Sequence, residues 1–146
     1  MRSGRLPFAL NMMKRFLILT AIIEAATGLA LIAMPAIVVR LLLGAEIFGA
    51  SIPLSRVAGA ALLALGVACW LARDDTQSRA ARGLVVAMLM YNIPATAFLA
   101  FAGIGLGLHG VALWPAVVLH AVMAIWCIMT LLRTQAAAWH NNKASE

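Results

Sequence analysis

The sequence predicts an all-α integral membrane protein, a four-transmembrane-helix bundle with both termini cytoplasmic. Three observations predict it. The 146 residues are 64% hydrophobic and 11% charged, with a mean hydropathy of +0.99. A soluble domain is about half apolar and about a quarter charged, so this chain lacks the polar surface to cover itself in water. The apolar residues fall into four runs of about 20, the length that crosses a hydrocarbon core of about 30 Å at about 1.5 Å per residue. Basic residues flank the runs unequally. Arg2, Arg5, Lys14, Arg15, Arg73, Arg79, Arg82, Arg133 and Lys143 fall on one side, Arg40 and Arg56 on the other. This nine-to-two split places the richer side, and both termini, in the cytoplasm. A β-barrel would need apolar and polar residues to alternate, and they do not.

Residues 1–15 form a basic leader in which Pro7 interrupts a short apolar stretch. It is expected to lie at the membrane interface. The first apolar run reads as a span rather than a cleaved signal, because it is long, carries Glu24 and lacks a small-x-small exit. Span one covers residues 16–34. Pro35 should disturb its exit, and residues 36–43 read as a helix end or a short interfacial helix stopped at Gly44. Span two covers residues 53–72. Pro53 suits its first turn, Arg56 follows within a turn, and Trp70 with Arg73 marks the far interface. Residues 74–78 form a polar turn. Span three covers residues 83–102, with a kink expected at Pro94, which removes one backbone hydrogen bond. The stretch GIGLGLHG at 103–110 reads as a flexible loop. Span four covers residues 111–132. Residues 133–146 read as a polar cytoplasmic tail with a disordered end.

Composition and motifs also narrow the function. The net charge of +6 sits beside apolar runs, where anionic headgroups account for it, and no basic face is interleaved with aromatics, so nucleic acid is not an expected partner. Cys69 and Cys127 lie far apart inside apolar runs and read as small packing residues. No phosphate loop, dinucleotide fingerprint, hydrolase elbow or HExxH motif is present, so no catalytic residue is assigned. Four-helix membrane cytochromes pair histidines at matched depth. Here His109 is in a loop, His120 at mid-depth and His140 in the tail, with His109 and His120 about 16 Å apart along the axis. No metal site is expected, and no bound cofactor is assigned, a quinone being the one class that remains open.

Three polar side chains share one depth. Glu24 lies about 12 Å into span one, Asn92 about 13 Å into span three, and His120 about 16 Å above the inner face. Ala21, Glu24, Ala25 and Gly28 share one sector of their helix, and Ala116, His120, Ala124 and Cys127 share one of theirs. Small residues mark faces where membrane helices touch, so Glu24 and His120 are expected on contact faces. An ionised carboxylate in hydrocarbon costs several kcal/mol, so Glu24 must be paired, protonated or hydrated. His120 is the nearest partner in depth. Arg56 is an outer alternative, about 10 Å higher, and Tyr91 adjoins Asn92. The simplest role for Glu24, His120, Asn92, Arg56 and Tyr91 is to hold helices in register. A polar site for proton transfer, a quinone headgroup or a small solute is the alternative.

The segments EAATGLALIAMPAIVVRLLLG, SRVAGAALLALGVACWLAR, RGLVVAMLMYN and WPAVVLHAVMAIW resemble small four-helix bacterial membrane proteins of the DoxX-like kind, over about residues 16–132. The resemblance implies a four-helix bundle in the bacterial inner membrane and makes quinone-linked redox service conceivable. It transfers no catalytic residue. The expected role is a non-enzymatic accessory subunit of a larger membrane complex or a homo-oligomer. Quinone interaction and minimal proton-coupled transport are the alternatives.

Overall fold

The computed structural model describes residues 5–143 and is all-helical, with no strand among the described residues. Its helices are α1 (Arg5–Ala33), α2 (Pro35–Leu43), α3 (Ser51–Ala72), α4 (Arg79–Ile104) and α5 (Leu113–Asn142). All but α2 are long and apolar enough to cross a membrane. Between 17% and 33% of each apolar window is buried by the protein itself, so the remaining apolar surface is left to lipid, as in a multi-pass membrane protein.

Local chemistry sets the helix boundaries. Met34 leaves helical geometry at φ −136° and ψ 59°, and Pro35 opens α2, so the apolar run continues as a separate nine-residue helix. Gly44 ends α2 in the left-handed region at φ 70°, its N–H donating to the Arg40 carbonyl, a conformation that costs glycine little. Ser78 starts α4 four residues earlier than hydropathy suggests. Its backbone is extended and its hydroxyl accepts from the Ala81 N–H at 3.0 Å, which satisfies one orphan donor of the first turn. Helix α4 runs through Pro94 as one helix.

Two expectations are corrected. The leader is not a separate interfacial arm from Arg5 onward. Helix α1 already includes Pro7, in a first turn where a missing N–H breaks no intrahelical bond. The fourth helix does not stop at residue 132, because α5 continues through residues 133–142. Of the end expected to be disordered, residues 140–146, residues 140–142 belong to α5, and residues 144–146 lie outside the described residues, as does Arg2. At about 43 and 45 Å, α1 and α5 both outrun a hydrocarbon core of about 30 Å. Near these ends Ala9 and Met13 of α1 are buried and the Arg133 guanidinium sits 5.3 Å from the Phe8 ring centre, while Gln135, Ala136 and Trp139 of α5 are exposed. Hydropathy cannot see the early start of α1, because packing and not lipid solvation supports it.

The helices pack as two pairs. Helix α1 packs most extensively on α3, and α4 on α5; α1 also touches α5. The α1–α3 seam is built from small residues. A Cβ built on Gly28 would stand 2.6 Å from the Gly59 carbonyl oxygen, and one on Gly59 would stand 2.7 Å from that of Gly28. Close backbone approach of this kind is how membrane helices gain dispersion contact without a hydrophobic driving force.

At the end bearing the chain termini the two pairs close tightly. Met13, Phe16, Leu17 and Ala21 of α1 meet Cys69 of α3, Ala81, Val85 and Met88 of α4, and Met123 and Cys127 of α5. The turn between α3 and α4 is held to the same end by Lys14, whose Nζ donates to Asp74 Oδ1 at 2.6 Å. That hydrogen bond, helped by the charges of Lys14 and Arg73, holds the Asp74 carboxyl below the usual carboxylate range. The pair is exposed on both sides, so solvent screening keeps it weak and it locates the turn more than it stabilises the fold. At the opposite end the pairs diverge. Helix α2 fills part of the gap, tied down by the Ala112 N–H, which donates to the Leu41 carbonyl at 2.9 Å.

Candidate functional site

The divergence leaves a cavity of about 490 Å³ between the pairs, within the range of small-molecule sites. Every long helix contributes to its wall, and Val38, Val39, Leu41 and Leu42 of α2 close it at the far end. Its polar lining is Glu24, Thr27, Tyr91 and His120; the other lining residues are aliphatic or phenylalanine. Glu24, Tyr91 and His120 stand where the tight core ends, since core residues run up to Ala21, Met88 and Met123 on the same three helices. The polar groups therefore form the floor of the cavity. Phe98 lines it yet is 72% exposed, so the cavity wall reaches the apolar flank of the bundle.

Four of the five sequence-selected residues come together here. Glu24 is 4% exposed and Asn92 is 1% exposed. His120 Nδ1 lies 2.8 Å from Asn92 Oδ1. Asn92 Nδ2 donates to the Met88 carbonyl at 2.8 Å, and the Asn92 carbonyl accepts from Thr96 Oγ1, also at 2.8 Å. The Tyr91 ring meets the His120 ring edge-on, with centres 5.4 Å apart and planes at 83°. Helix geometry makes this possible: Tyr91 and Asn92 are successive residues on α4, so the ring faces the cavity wall while the amide turns into the α4–α5 interface.

Two expectations do not fit the geometry. His120 is not the ion-pair partner of Glu24. Its Nδ1 is held by Asn92, and among the described residues Glu24 forms no ion pair. Arg56 is not part of the cluster. It is exposed in the first turns of α3 and absent from the cavity wall.

Sequence reasoning missed Thr27, the α2 lining and the cavity itself. One signal was available: an apolar run that a proline divides, leaving a second piece too short to span. Among the described residues no group of three or more His, Cys, Asp or Glu side chains gathers as a metal site would. The chain matches no family model, no curated protein and no solved structure, so the geometry alone carries the functional reading.

Proposed function

We propose that this protein binds a lipophilic small molecule, with the polar headgroup at Glu24, Tyr91 and His120 and the apolar portion in the cavity beneath α2. The observation that carries this is the division of the cavity wall into a polar floor and an apolar shaft, with the exposed Phe98 in the shaft wall. Molecules that partition into the bilayer reach such a site from the membrane. A quinone-type molecule is the closest chemical class, with a ring that can hydrogen-bond and an apolar chain, and the DoxX-like resemblance points the same way. Transport is a weaker reading, since above the floor the shaft has only Thr27 to offer a proton or a polar solute. An accessory role in a larger complex is compatible with binding, but lipid satisfies the exposed apolar faces equally well.

The test uses the full chain in lipid nanodiscs, with decyl-substituted benzoquinone and its hydroquinone as probes. A bound probe raises the melting temperature by mass action. Ala116→Phe fills the shaft and should weaken binding at least about tenfold, a change of about 1.4 kcal/mol, while the unliganded protein melts as before. Failure of both probes to bind, or equal binding to Ala116→Phe, overturns the reading.

We further place the protein in the bacterial inner membrane with both termini cytoplasmic. The fold supports the sidedness, because Lys14, Arg15, Arg73, Arg79, Arg82 and Arg133 lie at or near the terminus-bearing end, and Arg40 and Arg56 lie at the other. A periplasm-active reporter inserted in the loop after α4 should be active and one fused after His140 inactive. The opposite pattern would reverse the assignment.

A further inference from the structure

The hydrogen bonds around His120 carry more than a location; they fix which ring nitrogen holds the proton. Asn92 has one end that donates and one that accepts. Its donating end must be the one on Met88, because a carbonyl oxygen 2.8 Å away accepts only. Exchanging the amide atoms would set two oxygens against each other. The end facing His120 is therefore Oδ1, an acceptor, and His120 Nδ1 must be the donor across the 2.8 Å contact. In the neutral imidazole that leaves the lone pair on Nε2. Asn92 is buried and takes no part in the cavity wall, whereas His120 does. The edge of the ring opposite Nδ1 is what the cavity receives.

We infer that the floor of the cavity selects a headgroup that donates a hydrogen bond, a hydroxyl on a ring or chain, over one that only accepts. The inference rests on the binding reading above and adds its chemistry. A hydroxyl donates its proton to His120 Nε2, and its oxygen can accept from the Tyr91 phenol. A carbonyl or ether oxygen in the same place faces the lone pair of Nε2 and leaves it without a donor. Among quinone-type molecules the reduced, hydroxyl-bearing form is the one retained. Asn92 acts through His120 and is a positioning residue: it holds the proton on Nδ1 and so keeps Nε2 free to accept.

The experiment compares a 4-nonylphenol with its methyl ether, which has the same ring and chain but no donor. Both are titrated against the full chain in nanodiscs. The phenol should bind about tenfold more tightly, and Asn92→Leu, which frees the proton to move to Nε2, should remove that preference. A steric cause would leave the preference in place in Asn92→Leu. If phenol and ether bind equally to the natural chain, the donor selectivity falls while binding in the cavity stands. If neither probe binds, and Ala116→Phe changes nothing, the binding reading fails first. Nitrogen NMR of the labelled histidines gives a readout independent of any ligand. A proton on Nδ1 of His120 and none on Nε2 is expected; the reverse overturns the inference even if Asn92→Leu does not fold.

Discussion

Gly28→Ala should lower the stability of the bundle by about 1–2 kcal/mol, although alanine is the better helix former. Two effects oppose each other. Removing glycine from a helix interior gains about 0.5–1 kcal/mol. Overpacking a close interface costs about 1–3 kcal/mol. The second wins here because the atoms in the way are backbone: the Gly59 carbonyl oxygen at 2.6 Å and the Leu63 nitrogen at 2.7 Å from the new Cβ. Neither can rotate aside, so α1 and α3 must separate along the whole seam. Gly66 faces the backbone of Ala21 and Ala25 on the same seam, which spreads the loss. Gly83 supplies the control. It lies in α4 with nothing within 4 Å of its Cβ position, so Gly83→Ala should be neutral or stabilising. Reversible unfolding in mixed micelles measures both. A Gly28→Ala protein at least as stable as the natural chain would mean that the seam is looser than these distances imply.

The second large effect concerns Asn92 and His120. His120→Leu leaves Asn92 Oδ1 buried without its donor, at a cost of about 1–3 kcal/mol. Interhelical hydrogen bonds in membranes average only about 0.6 kcal/mol, since the unfolded chain also finds partners in lipid, so the lower half of that range is expected. The pattern is more telling than the size. The Asn92→Leu, His120→Leu double variant removes both partners, so it should be more stable than His120→Leu alone. Strict additivity of the two single changes would show that the 2.8 Å contact contributes nothing to holding α4 against α5. Because the double variant restores packing and not the headgroup site, recovered stability without recovered binding separates the two roles of the cluster.

The sequence made the four spans legible because lipid solvation acts on composition, and composition is visible residue by residue. The common depth of Glu24, Asn92 and His120 was equally legible, since a fixed rise converts residue number into height. Their pairing was not. Neighbouring positions differ by about 100° around a helix, and the choice between Glu24 and Asn92 as the partner of His120 depends on how far α4 and α5 rotate toward each other. Arg56 shows the same limit: it was an alternative about 10 Å higher, and its side chain is exposed. The early start of α1 was invisible because Ala9 and Met13 are buried in the folded chain, a tertiary effect with no local mark. The cavity is a lack of packing, and no residue type announces a space that neighbours fail to fill.

The uneven packing of the two halves has a dynamic consequence. Segments with few packed neighbours open at a lower free energy than a closed core. Here the core side chains are close-packed at the terminus-bearing end, while toward α2 the helices line a cavity of about 490 Å³. Local opening is therefore concentrated in one half of the molecule. Amide exchange should reach α2 and the neighbouring turns of α4 and α5 long before the turns that carry Phe16, Met88 and Cys127, and an occupant of the cavity would slow it in that half alone.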